Sequence, residues 1–500
     1  MTVYNINKGI GWASSGVEYA QVYRAAIFRK LNLDAKFIFT DMFQNENIAH
    51  FTANIGFENH EVIWLYSYFT DVETHETTYS LEELLATLPK NIVLESQSPT
   101  ALRYRIENKD AAILIFFKKD CPTIVQRVEY LSKGKLIRKD YYSYTKVFSE
   151  YYVPENDSPK LYRRVFFHQD GSIAYEELVQ GQKSLFRFSD AILYSKEELI
   201  ARMLDSLKLT EKDIILLDRA TGIGQAVMRH KGDAKLGVVV HAEHYSIGNT
   251  TDQAILWNNF YDYQFTQASE VDAFITSTDA QTETLSRQFK HYYGIEPNVV
   301  TLPVGSLDQL MESEKGRKAF STLTCSRLAS EKHIDWLIEG VTLARKELPQ
   351  LTFDIYGEGG QRGPLAKLIE EKHATDYIRL MGHQDLTTIY QNYEVYLTAS
   401  TSEGFGLTLM EAVGSGLAMI GLDVPYGNQT FIMDGKNGYL IPRVQPDNPI
   451  TYAEAFAREL VRLYQGELST YHNTSYEVAE EFLTTRLEEK WLSFIKEITQ

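Results

Sequence analysis

The sequence predicts an α/β protein of two Rossmann-like domains, the first interrupted by an antiparallel β-meander. Three observations carry this. Apolar strand-length runs alternate with amphipathic helices over 301–485. The same alternation occupies 1–45 and resumes over 190–300. Between them, 46–189 holds many strand-length runs punctuated by turn signals and few helical stretches. A last helix is expected over 486–500.

In the first α/β region a short strand leads into the loop Gly9-Ile10-Gly11-Trp12-Ala13-Ser14-Ser15-Gly16. A helix is expected over 19–31 and a strand over 35–40. The pattern returns with strands over 213–217, 236–240 and 272–276. In the middle region, strands are expected over 112–117, 125–131, 142–152, 160–168 and 172–179. Asn108-Lys109-Asp110, Lys133-Gly134-Lys135 and Asp170-Gly171-Ser172 read as turns, because Asp-Gly between alternating runs favours hairpins. The 32 Tyr and 25 Phe exceed what a plain α/β protein needs and point to an extensive sheet. Such a meander suits a partner or acceptor surface. In the last region, strands over 320–324, 351–356, 377–380, 395–398 and 418–421 alternate with helices over 334–347, 363–372, 386–392 and 407–415. In a parallel sheet of this kind, sites open at the carboxyl ends of the strands.

Composition narrows the function classes. A net charge of -17 argues against nucleic acid held by phosphate neutralisation. Cys121 and Cys325 are the only cysteines, so neither a disulfide framework nor zinc-type spacing can be built. The opening Met1-Thr2-Val3-Tyr4-Asn5 lacks the basic and apolar stretches of a signal peptide. No apolar run approaches the ~18 residues of a membrane span. A cytoplasmic protein is expected.

The chemistry-bearing residues follow strands. Ser402-Glu403-Gly404-Phe405-Gly406-Leu407-Thr408-Leu409-Met410-Glu411 is a glycine turn opening a helix. The N–H groups of that helix end suit a diphosphate. Glu403 on the loop can face a sugar, and Glu411 in the helix can reach a ribose. Ser326-Arg327-Leu328-Ala329-Ser330-Glu331-Lys332 supplies two cations; Arg327 forks onto phosphate oxygens and Lys332 acts as a point charge. Fixed cations stabilise a departing diphosphate. Gly357-Glu358-Gly359-Gly360 is a further loop, and Gly382-His383 offers contacts to a base. In the first region Gly9, Gly11 and Gly16 do not have dinucleotide G-x-G-x-x-G spacing, so the loop reads as amides approaching a diphosphate at Gly16-Val17-Glu18-Tyr19. His241 ends a strand and can hydrogen-bond a sugar hydroxyl; His241-Ala242-Glu243-His244 also leaves a metal pair or a structural histidine open. The chain contains no Asp-x-Asp pair to hold a divalent ion, so a metal-independent reaction with no cofactor is expected.

Taken in order and spacing, Arg327 and Lys332, Gly357–Gly360, Gly382-His383, Glu403 with Glu411, and Asp434-Gly435-Lys436-Asn437-Gly438 resemble the retaining GT-B glycosyltransferases of family four over about 300–445. Asn5-Ile6-Asn7-Lys8-Gly9-Ile10-Gly11, the meander and His241-Ala242-Glu243-His244 extend the resemblance over the chain. The branch in question adds N-acetylglucosamine to serine-rich-repeat adhesins of streptococci and staphylococci. The resemblance implies two Rossmann-like domains facing a cleft, UDP-N-acetylglucosamine as donor, and Ser/Thr hydroxyls as acceptor. It also implies a GtfB-like partner of similar fold without the activity, and association with the inner face of the membrane.

Residue by residue, the resemblance implies that Gly16, Val17, Glu18 and Tyr19 contact UDP and that His241 contacts the sugar. Arg327 and Lys332 hold the diphosphate, and Gly382 and His383 the uracil. Glu403, Gly404, Phe405, Gly406, Leu407 and Thr408 line sugar and phosphates, with Glu411 on the ribose. Glu403, His241, Arg327 and Lys332 are the expected catalytic set. Two alternatives remain open: a poly(glycerol phosphate) teichoic-acid glucosyltransferase, which is similar in the insert and carboxyl half, and a non-catalytic scaffold that presents the acceptor.

Overall fold

The computed structural model describes residues 1–11, 16–44, 46–156, 158–313 and 316–500. Three sheets organise them. The first is parallel and seven-stranded, in the order β17-β16-β15-β14-β1-β2-β3. Its strands are β1 (Val3–Asn7), β2 (Ala35–Phe39), β3 (Val62–Trp64), β14 (Ile214–Leu217), β15 (Lys235–Val240), β16 (Ala273–Thr276) and β17 (Val299–Thr301). The second contains ten antiparallel strands in sequential order, from β4 (Ile92–Gln97) to β13 (Ile192–Leu193). The third is parallel, β20-β19-β18-β21-β22-β23. It comprises β18 (Ser321–Cys325), β19 (Thr352–Tyr356), β20 (Ile378–Gly382), β21 (Val395–Thr398), β22 (Ala418–Asp423) and β23 (Gly438–Pro442).

Both parallel sheets have near-continuous apolar strands, such as Ile214-Ile215-Leu216-Leu217, all fully buried. Helices cover both faces of such a sheet, so alternation is absent. One core packs around the first sheet, and two more lie on opposite faces of the third.

Several expectations need correction. The first α/β region does not end at 45: β3 pairs in parallel with β2 through Phe37↔Val62 and Phe39↔Trp64. At three residues, β3 carries no readable periodicity. The expected strand over 142–152 is two strands, Lys135–Tyr142 and Lys146–Glu155, divided by a turn in which Ser143 N–H bonds the Thr145 carbonyl. Only the three-residue turn Tyr390–Asn392 forms a helical element within 386–392, with Asp385 tying down Thr387 through N–H and hydroxyl.

The insert is joined to the first domain by an aromatic ladder. Tyr141 stacks on Phe148 at 4.3 Å, Phe166 on Tyr175 at 4.5 Å and Tyr175 on Phe188 at 4.7 Å. Trp64, the last residue of β3, and Tyr66, just past it, meet this ladder at Phe148 and Phe166, and Tyr175 donates to the Tyr66 carbonyl at 2.7 Å. Cross-strand aromatic pairs of this type stabilise sheets by ~0.2–1 kcal/mol each. The far half of the insert has its own small core around Ile113, Ile115, Val125 and Val128.

The last helix, Thr484–Ile498, leaves the third sheet and returns to the first domain. Leu487, Trp491, Phe494, Ile495 and Ile498 recur at helical spacing and join that core. Trp491 meets Phe28 edge-on at 5.2 Å, worth ~0.5–1.5 kcal/mol beyond area burial. The two interdomain connections run side by side: Leu307 N–H bonds the Phe482 carbonyl, and Thr484 N–H bonds the Leu307 carbonyl.

Candidate active site at the domain seam

On the C-terminal wall, the loop after β21 turns into the helix Leu407–Gly414. Gly406 precedes it at φ 86°, a left-handed conformation that favours glycine, and no side chain caps the helix. Its first amides therefore remain available to a ligand. Glu403 is held on the backbone side by Tyr426 and Gly427, whose N–H groups donate to its carbonyl at 2.7 and 2.8 Å. Its carboxylate pairs with Lys332 Nζ at 2.7 Å, both side chains about one-fifth exposed. Loops after β18 and β21 thereby frame a small, partly open pocket lined by Ser326, Lys332, Tyr396, Ser400, Glu403 and Thr408.

Glu411 lies deeper. Tyr390 donates to it at 2.9 Å, and Tyr23 from the first domain also bonds it. Burial pushes its carboxyl up to about 7, against the lowering effect of the two tyrosines. Tyr23 packs on the C-terminal core beside this helix.

The N-terminal wall is built differently. His241 follows β15, and its Nε2 lies 2.8 Å from Asp218 Oδ1 at the end of β14. Arg24 forks onto both Asp218 oxygens at 2.9 Å, and Gln21 donates to Oδ2 at 2.8 Å. Arg24 and Asp218 are buried. Although burial opposes it, Arg24 and His241 hold the Asp218 carboxyl well below the usual carboxylate range.

The walls touch at the expected residues. A Cβ on Gly404 would lie 2.5 Å from the His241 carbonyl oxygen, so only glycine permits this approach. Ser402 donates to Glu243 at 3.2 Å, and Tyr426 stacks on His244 at 5.8 Å. His244 is buried against Gln288 at 2.7 Å, and burial lowers it to about 4. It is a structural histidine of the seam. With His241 committed to Asp218, the pair lacks metal-site geometry: among the described residues, the metal-like cluster is Glu58, His60 and Glu61, elsewhere.

The structure thus brings together Glu403, Lys332, Gly404, Phe405, Gly406, Leu407, Thr408 and His241. Arg327 stays at the rim, exposed and paired with Glu331 at 3.3 Å. Gly382 ends β20, where its carbonyl accepts from Gly357 N–H at 2.8 Å, and His383 is exposed beside it. At the start of the helix Gly16–Lys30, Gly16 and Tyr19 are exposed and Val17 is half-buried. Glu18 is buried, accepting from Asn7 at 3.2 Å and pairing with Arg219 at 3.2 Å, so its carboxylate supports the wall from beneath. The loop residues Trp12, Ala13, Ser14 and Ser15 lie outside the described residues. Sequence reasoning missed Asp218, Arg24, Gln21, Tyr23, Tyr390 and Tyr426. For Asp218 alone a signal existed: like His241, it stands directly after an apolar strand.

Comparison with known proteins follows this geometry. Residues 319–465 match the model of glycosyl transferases group 1, and 94–190 match the GtfA extended beta-sheet domain. A UDP-N-acetylglucosamine–peptide N-acetylglucosaminyltransferase GtfA subunit from Streptococcus agalactiae is 58% identical, the match covering 100% of this chain and 99% of the relative. The chain belongs to the GtfA subunit family. A crystal structure of the pneumococcal O-GlcNAc transferase GtfA in complex with UDP and GlcNAc superposes with a TM-score of 0.94 at 51% identity, covering 100% of this chain and 99% of that one. A GtfA/B complex chain superposes at 0.95 with 51% identity, each chain covered fully. The two Rossmann-like domains and the antiparallel insert expected from sequence are the architecture of this family. The poly(glycerol-phosphate) alpha-glucosyltransferase of Bacillus subtilis is 23% identical over 98% of this chain and 74% of its own length, a distant relative.

Proposed function

We propose that this chain transfers N-acetylglucosamine from UDP-N-acetylglucosamine to Ser/Thr hydroxyls of a serine-rich-repeat adhesin, as the catalytic subunit of a complex with a GtfB-like partner. The observation that carries this reading is the Lys332–Glu403 pair beneath an uncapped helix end, with the neighbouring Gly404 against the His241 carbonyl across the seam. A non-catalytic scaffold needs no such cluster.

The chemistry follows from placement. A β-phosphate arriving at the helix end meets Lys332, and Arg327 can swing in from the rim. Both favour the charge that develops as the bond to the anomeric carbon breaks. The electron pair of that bond leaves with the phosphate oxygen. The acceptor oxygen bonds the anomeric carbon from the same face, and its proton passes to the departing phosphate oxygen, giving net retention. Glu403, released from Lys332 by the phosphate, turns to the sugar, while Glu411 accepts from the ribose hydroxyls. With Lys332, Arg327 and the helix end meeting the charge, the reaction runs without a metal. The insert presents the acceptor and partner surface, supported by exposed Val153, Tyr162, Ile173 and Leu178 on its strands. No described helix is long and apolar enough to cross a membrane. The reading places the chain in the cytoplasm, peripheral to the inner face of the membrane.

The test is transfer from a panel of UDP-sugars with and without a serine-rich peptide, with and without chelator, followed by product stereochemistry. N-Acetylglucosamine joined in the α configuration, insensitive to chelator, is expected. An inverted product or a strict divalent-ion requirement overturns the mechanism, and transfer only to polyol phosphate overturns the acceptor.

A further inference from the structure

We infer that Asp218 is a positioning residue that fixes the proton of His241 on Nε2, leaving Nδ1 to accept a hydrogen bond from a hydroxyl of the donor sugar. The inference rests on the reading of His241 as the sugar contact.

The geometry is specific. Asp218 receives four side-chain hydrogen bonds: one from His241 Nε2, two from Arg24 and one from Gln21. Its own N–H donates to the Ile6 carbonyl at 3.0 Å, fixing the backbone as well. A carboxylate so surrounded by donors is ionised and has no proton to give. The short contact to Nε2 therefore requires Nε2 to carry the proton. In the neutral ring the lone pair then sits on Nδ1, since the bond of the ring to Asp218 is made through Nε2. The other ring nitrogen is set by the partner of the first.

The position matters as much as the tautomer. The His241 carbonyl abuts Gly404, next to Glu403, so the His241 backbone forms the wall of the space a sugar on Glu403 would occupy. The supports of Asp218, Gln21 and Arg24, lie on the helix Gly16–Lys30, which also carries Tyr23, a partner of Glu411. Arg24 also lies over the Trp491 ring at 5.3 Å, so the returning C-terminal helix buttresses the network. An orienting carboxylate behind an imidazole is a known way to hold one tautomer, and its neutral amide replacement permits the other.

The experiment is 15N NMR of the full-length chain labelled at histidine, with H241A assigning the signal. A proton on Nε2 alone is expected. A proton on Nδ1, alone or together with Nε2, overturns the proposal. The measurement does not depend on turnover, so it stands apart from the donor assay that tests the function. D218N should lower kcat by about 10–100-fold with UDP affinity unchanged, and should have no further effect in an H241A background. An equal loss in both backgrounds would show that Asp218 only supports the fold. Should D218N fail to fold, the tautomer of the unmodified chain still decides.

Discussion

The two walls of the cleft reach a similar end by opposite means. On the C-terminal wall, one loop and the following helix carry Glu403, Gly404, Gly406 and Glu411, with Lys332 arriving from the neighbouring strand end. On the N-terminal wall, one largely buried histidine is held by a network whose members lie far apart in sequence: Asp218 is 194 positions from Arg24 and 23 from His241. On the proposed reading, the first wall grips the charged nucleotide and the second serves the sugar. Local loops can be read and altered singly; a buried network shifts as a unit.

This contrast can be broken or sharpened by substitution. Glu403→Gln should lower transfer by ~10²–10³-fold with little change in thermal stability, as loss of one preorganised polar contact in a transition state does. An unchanged rate would displace the site from this loop. Lys332→Ala should weaken UDP binding by ~10–100-fold, the weight of a charge-assisted hydrogen bond, read by calorimetry. Arg327→Ala should cost less, because its guanidinium is exposed and reaches the phosphate from the rim.

Glu411 gives a pH test. Its carboxyl is raised by burial to about 7 in the free structure. Between the ordinary carboxylate range and that value the folded chain keeps a proton that the unfolded chain has lost. This group's contribution to stability therefore declines as pH rises through about 7. Ribose hydroxyls donate to the charged form, so UDP binding should release a proton and strengthen up to ~10-fold from pH 6 to 8. Glu411→Gln should flatten the dependence. Proton uptake on binding would contradict it.

How much was legible follows the same division. Glu403 through Glu411 could be read because a strand, two glycines and a helix fall within a dozen residues, and the helix end states its own chemistry. The Lys332 loop was legible as charge, but not that Lys332 pairs while Arg327 faces out. Rotamers of long side chains leave no trace in spacing. Asp218, Arg24 and Gln21 were invisible because each reads alone as an ordinary strand-end acid or helix residue. Only the pairing of β1 with β14 brings them together. Likewise β3 was lost because three residues between a helix and an insert carry no period, although Val62 and Trp64 are buried.

The central claim is that the C-terminal wall binds the nucleotide and the N-terminal wall serves the sugar. His241→Ala tests it most directly, with UDP affinity by calorimetry and turnover of UDP-N-acetylglucosamine measured on the same preparation. Unchanged UDP affinity with turnover reduced at least tenfold is predicted. Loss of UDP affinity in proportion to turnover would contradict the division between the walls.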